Sequence, residues 1–246
     1  GLNVASGLHD KLGARPHLVA RAAERGVRLF DVRGLPEGFS PPIAKGSRRA
    51  GKRLLTVGTD CAVGKKFTTL ALERDMRARG LKATFRATGQ TGVLISGQGL
   101  VIDAIVADFL AGAVELLSPD NASDHWDLIE GQGSLFHPAY AAVSLGLLHG
   151  SQPDAFVVCH EATRDRILGY EDFPTPTLAE CISLHVANGR LLNPQIQCAG
   201  ISLNTSNLAP DDGRRMRQQI EDDLGLPCAD PSVTGMDPII DHILKW

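Results

Sequence analysis

The stretch LLTVGTDCAVGKKFTTLALERDM, residues 54–76, limits the possible fold of this chain more than any other. An apolar run enters a glycine-punctuated loop, and a helix-compatible run leaves it. It reads as the phosphate-loop pattern G-x-x-x-x-G-K, anchored at Gly58 and Gly64-Lys65. Such glycines let backbone N–H groups turn inward, the following helix adds partial positive charge, and Lys65 reaches phosphate oxygens. The expected anion site comprises Gly58, Thr59, Asp60, Cys61, Ala62, Val63, Gly64, Lys65 and Lys66. One position departs from the pattern. Lys66 stands where a Ser or Thr hydroxyl would reach Mg²⁺, and Thr68 and Thr69 face other directions. A second lysine suits a pyrophosphate neutralised without a metal, which argues against ordinary ATP hydrolysis.

The chain of 246 residues is long enough for one large α/β domain, or a main domain with an appendage. A net charge of -3, from 25 basic and 28 acidic residues, argues against a strongly basic nucleic-acid binder. With 43% hydrophobic and 22% charged residues, neither disorder nor a coiled coil fits. The five cysteines show no CxxC spacing and read as small core residues of a reducing compartment, not as a disulfide framework or a metal site. No apolar run approaches the length of a membrane span, and no signal peptide is visible, so a cytoplasmic location is expected.

Alternation of strand and helix after residue 53 predicts a doubly wound sheet. Strands are expected at 54–57, 82–86, 128–129, 155–159 and 198–203. Helices are expected at 65–79, 101–117, 177–188, 211–224 and 236–244, and 138–148 is expected to cover the sheet with small residues. Apart from 82–86, KATFR, the strands are nearly continuous apolar runs, as expected in a parallel sheet covered on both faces. Before them, a helix near 16–25 and a strand at 27–32 read as the tail of another α/β unit. Residues 34–52, rich in glycine, proline and basic side chains, read as a linker.

Ligand sites in open parallel sheets lie at the C-terminal strand edges, which selects the remaining candidates. Glu130, at the end of its strand, is a general base or a metal holder. His137 is a proton-transfer group or a capping histidine. His160 follows a buried strand at the same edge and is a third catalytic candidate. The segment 86–99 reads as a substrate loop, with Arg86, Thr88, Gln90 and Thr91 as contacts. The alternative is a glycine-rich connection with Arg86 at the surface. Arg86 or Arg164 suits a substrate carboxylate through paired hydrogen bonds. Asn204 either contacts a cofactor ring or closes a turn.

Four segments together carry a resemblance: GTDCAVGKK at 58–66, FRATGQTG at 85–92, IEGQGSLFHP at 129–138 and LGLLHGSQPDA at 145–155. They resemble a bacterial family, long described as a domain of unknown function, whose characterised members are D-glutamate N-acetyltransferases. The resemblance implies a phosphate-loop domain of the NTPase type, a three-layer parallel sheet, at 46–246. Residues 1–45 would be the end of a Rossmann-like domain plus a linker, with more of that domain upstream. It further implies transfer of an acetyl group from acetyl-CoA to the amine of D-glutamate, with no membrane or nucleic-acid partner. A homo-oligomer is expected. The loop and the later EGxG also look like dethiobiotin synthetase, which implies the alternative of an ATP- and Mg²⁺-dependent ligase or kinase. Lys66, in place of the threonine of those enzymes, is the departure from that second pattern.

Overall fold

The computed structural model describes residues 1–35 and 38–246. In chain order its elements begin with β1 (Val4–Ser6), α1 (Pro16–Glu24) and β2 (Leu29–Asp31). The phosphate loop lies between β3 (Lys52–Gly58) and α2 (Lys65–Ala78), followed by β4 (Lys82–Arg86), α3 (Gln90–Ser96) and α4 (Ala107–Leu117). Next come β5 (His125–Ile129), α5 (Ala141–Ser151), β6 (Ala155–Glu161), β7 (Arg166–Ile167) and β8 (Tyr170–Pro174). The chain continues with α6 (Leu178–Gly189), β9 (Gln197–Asn204), α7 (Pro210–Leu224), β10 (Cys228–Ala229) and α8 (Asp237–Ile243).

Six strands form one sheet in the order β10-β9-β6-β3-β5-β4, and every pair in it is parallel. Alternating strand residues feed two cores, because successive side chains point to opposite faces. Leu55, Val57, Ile129, Phe156 and Val158 meet Leu110 and Val114 of α4, Leu147 and Leu148 of α5, and Cys181 of α6. Leu54, Leu128, Ala155 and Val157 meet Leu72 and Met76 of α2, and Ile239 and Ile240 of α8. The result is the three-layer α/β architecture of a phosphate-loop protein. β3 lies inside the sheet, between β5 and β6, so the loop after it opens at the middle of the C-terminal edge. Among the described residues, no helix is long and apolar enough to cross a membrane.

Three local expectations need correction. The helix expected over 101–117 begins only at Ala107, after a short 3-10 turn, Ile102–Ala104. The segment 86–99, expected as a loop, contains the helix α3. A small antiparallel hairpin, β7 with β8, follows β6 where no strand was expected. The basic cluster of the 34–52 segment, of which residues 36 and 37 lie outside the described residues, has a packing role. The Arg49 guanidinium donates to the carbonyls of Glu115, Ser118, Gly150 and Ser151 at 2.6–3.1 Å. Those carbonyls end α4 and α5, where a helix leaves acceptors without partners and favours a cation. Burial pushes the Arg49 guanidinium down to about 10.

Candidate functional site

Gly64 caps the N-terminus of α2 at φ 103, a left-handed backbone that favours glycine. The loop departs from the expected spacing. Five residues, Thr59 to Val63, separate Gly58 from Gly64, one more than the pattern G-x-x-x-x-G-K allows. Ala62 also takes a left-handed conformation, φ 56, within this longer loop. Lys65 Nζ donates to the loop's own carbonyl at Asp60, 2.7 Å away, and burial pushes its pKa down. A buried ammonium bonded to a neutral carbonyl retains unmatched positive charge, the condition an anion would relieve. Lys66, half-buried beside it, has no hydrogen-bond or ion-pair partner among the described residues.

The nearby hydroxyls are committed to the protein. Thr69 Oγ1 donates to the Lys65 carbonyl at 2.7 Å and shares a 2.9 Å hydrogen bond with Thr56 Oγ1. Thr68 Oγ1 shares one of 2.7 Å with Ser202 Oγ. Neither replaces the hydroxyl that Lys66 displaces, so the loop is poorly equipped to hold Mg²⁺ in the usual way.

Glu130 stands just beyond β5, buried, with a carboxylate that accepts from the backbone N–H groups of Thr88 at 3.0 Å and Gly89 at 3.2 Å. Thr88 Oγ1 returns a hydrogen bond of 2.6 Å to the Glu130 carbonyl. Burial raises the Glu130 pKa, and the two N–H donors and Lys66 act against that rise. Gly131 permits this arrangement, since a Cβ there would lie 1.7 Å from the Thr56 carbonyl oxygen. Its N–H instead donates to Thr56 Oγ1 at 3.0 Å.

A cavity of about 1140 Å³ opens against these groups. Cys61, Ala62, Gly64, Lys65, Lys66, Gln90, Thr91 and Glu130 line it, among the residues singled out from the sequence. Apolar side chains also line it, with Ile102, Ile105, Leu110, Val143 and Leu145 from the segments around α4 and α5. Sequence reasoning missed Arg33, Asp103, Gln132, Tyr140, His9 and His149, which also line it. Polarity near the 86–99 segment had pointed to Gln90 and Thr91. Nothing local marked residues of the distant N-terminal segment.

Other candidates are engaged away from the cavity wall. Arg86 pairs with the buried Asp127, 2.7 Å from Nη2 to Oδ1, below the C-terminal edge. Arg164 donates to Asp60 Oδ2 at 2.9 Å and also pairs with Glu161. His160 Nδ1 shares a 2.9 Å hydrogen bond with Thr59 Oγ1, and burial pushes its pKa down. Asn204 Oδ1 accepts from the Ser206 N–H at 3.1 Å, so the side chain closes a turn. His137 is buried and stacks on Tyr140, ring centroids 4.5 Å apart. Its Nδ1 accepts from the Ala139 N–H at 3.1 Å, which assigns the proton of the neutral ring to Nε2. A ring nitrogen of His137, a carboxylate oxygen of Asp60 and Cys61 Sγ lie within 4.8 Å of one another. With Nδ1 occupied and Nε2 protonated, the neutral ring offers such a cluster no free lone pair.

A parallel sheet with a lysine-bearing loop at its centre, beside a large cavity lined by both charged and apolar side chains, defines a phosphate-loop protein with a small-molecule site. The comparisons with known proteins give the family. Residues 42–240 match the family described as "Domain of unknown function (DUF1611_C) P-loop domain", and residues 1–35 match its "Rossmann-like domain". Two relatives, from Pseudoalteromonas sp and Tritonibacter scottomollicae, carry the name D-glutamate N-acetyltransferase. Each is 48% identical over 99% of this chain, which covers 73% and 72% of their respective lengths. The crystal structure of a DUF1611 family protein from Anabaena variabilis matches with a TM-score of 0.91 and 35% identity, over 99% of this chain and 71% of that one. The chain belongs to the DUF1611 family. It is an enzyme of the N-acetyltransferase class.

Proposed function

We propose that the chain transfers an acetyl group from acetyl-CoA to the amine of D-glutamate. The observation that carries this reading is the 48% identity, across 99% of the chain, to two proteins named for that activity. The cavity supports it. Coenzyme A presents a pyrophosphate and a long arm in which two amides alternate with apolar stretches, and this cavity combines a phosphate loop with two lysines, polar side chains and apolar ones. Lys65, Lys66 and the N–H groups around Gly64 would hold the phosphates, with the arm against Ile105, Leu110 and Val143. The donor supplies an activated thioester carbonyl.

Glu130 is the proposed base. An amino acid arrives as an ammonium and must lose a proton before its nitrogen can attack, and a carboxylate with a raised pKa is better matched to that task. Among Glu130, His137 and His160, Glu130 alone lines the cavity. His137, protonated at Nε2, is instead a donor. Such a donor class of substrate is used inside cells, so the proposed location is cytoplasmic.

The test is direct. Purified enzyme with acetyl-CoA and D-glutamate should release free CoA thiol and N-acetyl-D-glutamate in equal amounts, and calorimetry should show acetyl-CoA binding without Mg²⁺. Tight, Mg²⁺-dependent ATP binding with no acetyl transfer would move the chain to the ligase or kinase reading. No specific feature of the site favours that second reading.

A further inference from the structure

We propose that Arg33, from the N-terminal segment, binds a carboxylate of the acceptor at the cavity wall, with Asp103 as its exchangeable internal counter-ion. The proposal rests on the acetyl-transfer reading above. An acidic amino acid needs a cation beside the reacting centre, and both arginines favoured from the sequence are held by other carboxylates outside the cavity. Arg33 is the arginine that lines the cavity, among the described residues.

Its guanidinium is oriented in advance. Nε donates to the Gly7 carbonyl at 2.6 Å, and Nη1 pairs with Asp103. Nη2 has no partner among the described residues, although the Arg33 side chain is only 12% exposed. A planar fork held at two corners presents its remaining N–H groups in a fixed direction, the geometry that suits a carboxylate. Asp103 sits on the short turn before α4 with its side chain 40% exposed, so solvent can replace it at little cost. A resident carboxylate thus already occupies one edge of the fork. Gln90 and Thr91, also on the cavity wall, add neutral hydrogen-bonding groups nearby. The N-terminal segment is therefore a wall of the acceptor site as well as a neighbour of the sheet domain.

The two partners make opposite predictions, which a purely structural ion pair would not. In calorimetric titration with D-glutamate in the presence of free CoA, which has no acetyl group to transfer, Arg33→Gln should weaken binding about tenfold or more, the loss of a charge-assisted hydrogen bond. Asp103→Asn should tighten it severalfold, because the competing carboxylate is gone while the cation remains. Affinity for acetyl-CoA should change in neither. If Asp103→Asn leaves D-glutamate affinity unaltered or weakens it, the proposal is overturned, and this holds even if Arg33→Gln fails to fold. Wild-type enzyme that never acetylates D-glutamate would sink the functional reading itself. Wild-type activity with the wrong response of these variants sinks the Arg33 assignment alone.

Discussion

Arg164 donates from Nη1 to Asp60 Oδ2 across 2.9 Å and so fastens the segment after β6 to the phosphate loop. The same carboxylate accepts from the Leu168 N–H at 2.7 Å and the Cys61 N–H at 2.6 Å, and it is fully buried. The loop's shape therefore depends on a cation more than a hundred residues further along the chain. Arg164→Ala would leave Asp60 buried without its counter-charge, an effect of about 3–5 kcal/mol in comparable buried pairs. Thermal unfolding should shift down, and acetyl-CoA affinity should fall while D-glutamate affinity changes less. Unchanged melting and donor affinity would show that the pair does not shape the loop.

Glu130 sets the expected pH dependence. Burial raises its folded-state pKa above the ordinary value of about 4.3, and the base role proposed for it requires the ionised form. The acidic limb of kcat/KM should accordingly lie above the usual carboxylate range. For stability the sign is opposite. A raised carboxyl pKa favours folding below the unfolded pKa, and that contribution is lost as pH rises through the folded value. Glu130→Gln keeps an acceptor for the Thr88 and Gly89 N–H groups without the buried charge. It should melt no lower than wild type at neutral pH while turnover falls by about 10²–10⁴. Near-normal turnover would remove Glu130 as the base.

Lys66 separates the two chemistries that a phosphate loop can serve. Lys66→Thr restores the hydroxyl of the metal-assisted pattern and removes one positive charge. Acetyl-CoA binding should weaken by roughly tenfold, on the scale of a hydrogen bond to a charged group, and should become less sensitive to salt. Isothermal titration at two ionic strengths measures both changes. A variant that binds acetyl-CoA as well as wild type would place the phosphates elsewhere.

Arg49 tests the clamp beneath the sheet, far from the chemistry. Its guanidinium gathers carbonyls at the ends of α4 and α5, and each buried acceptor left unpaired costs about 1–3 kcal/mol. Arg49→Ala should lower the denaturation midpoint by several degrees. Where the variant remains folded, KM for both substrates should stay close to wild type. Melting equal to that of wild type would show that water replaces the guanidinium without loss.

The local pattern determined the sheet. Apolar runs at 54–57, 155–159 and 198–203 became β3, β6 and β9, because a strand buried on both faces has a composition that few other elements share. The segment 82–86, KATFR, became the edge strand β4, which alternates buried and more exposed residues. Glu130 was legible for a related reason, since its place at the end of such a run puts it on the ligand edge whatever its neighbours are. The short helix α3 was not, because its polar and glycine residues read as a loop; Gly92 within it lies so close to Glu130 that a Cβ would stand 2.2 Å from Oε2, an approach that local sequence does not reveal. Nor could one sequence tell which arginine is available. Arg86 and Arg164 have the right charge and the right edge, but Asp127 and Asp60 hold them, and Arg33 reaches the cavity from a segment that precedes the sheet domain. Composition and spacing along the chain specify which elements form. Which charges remain free to meet a ligand depends on pairings between residues far apart in sequence, and only the folded chain makes those pairings.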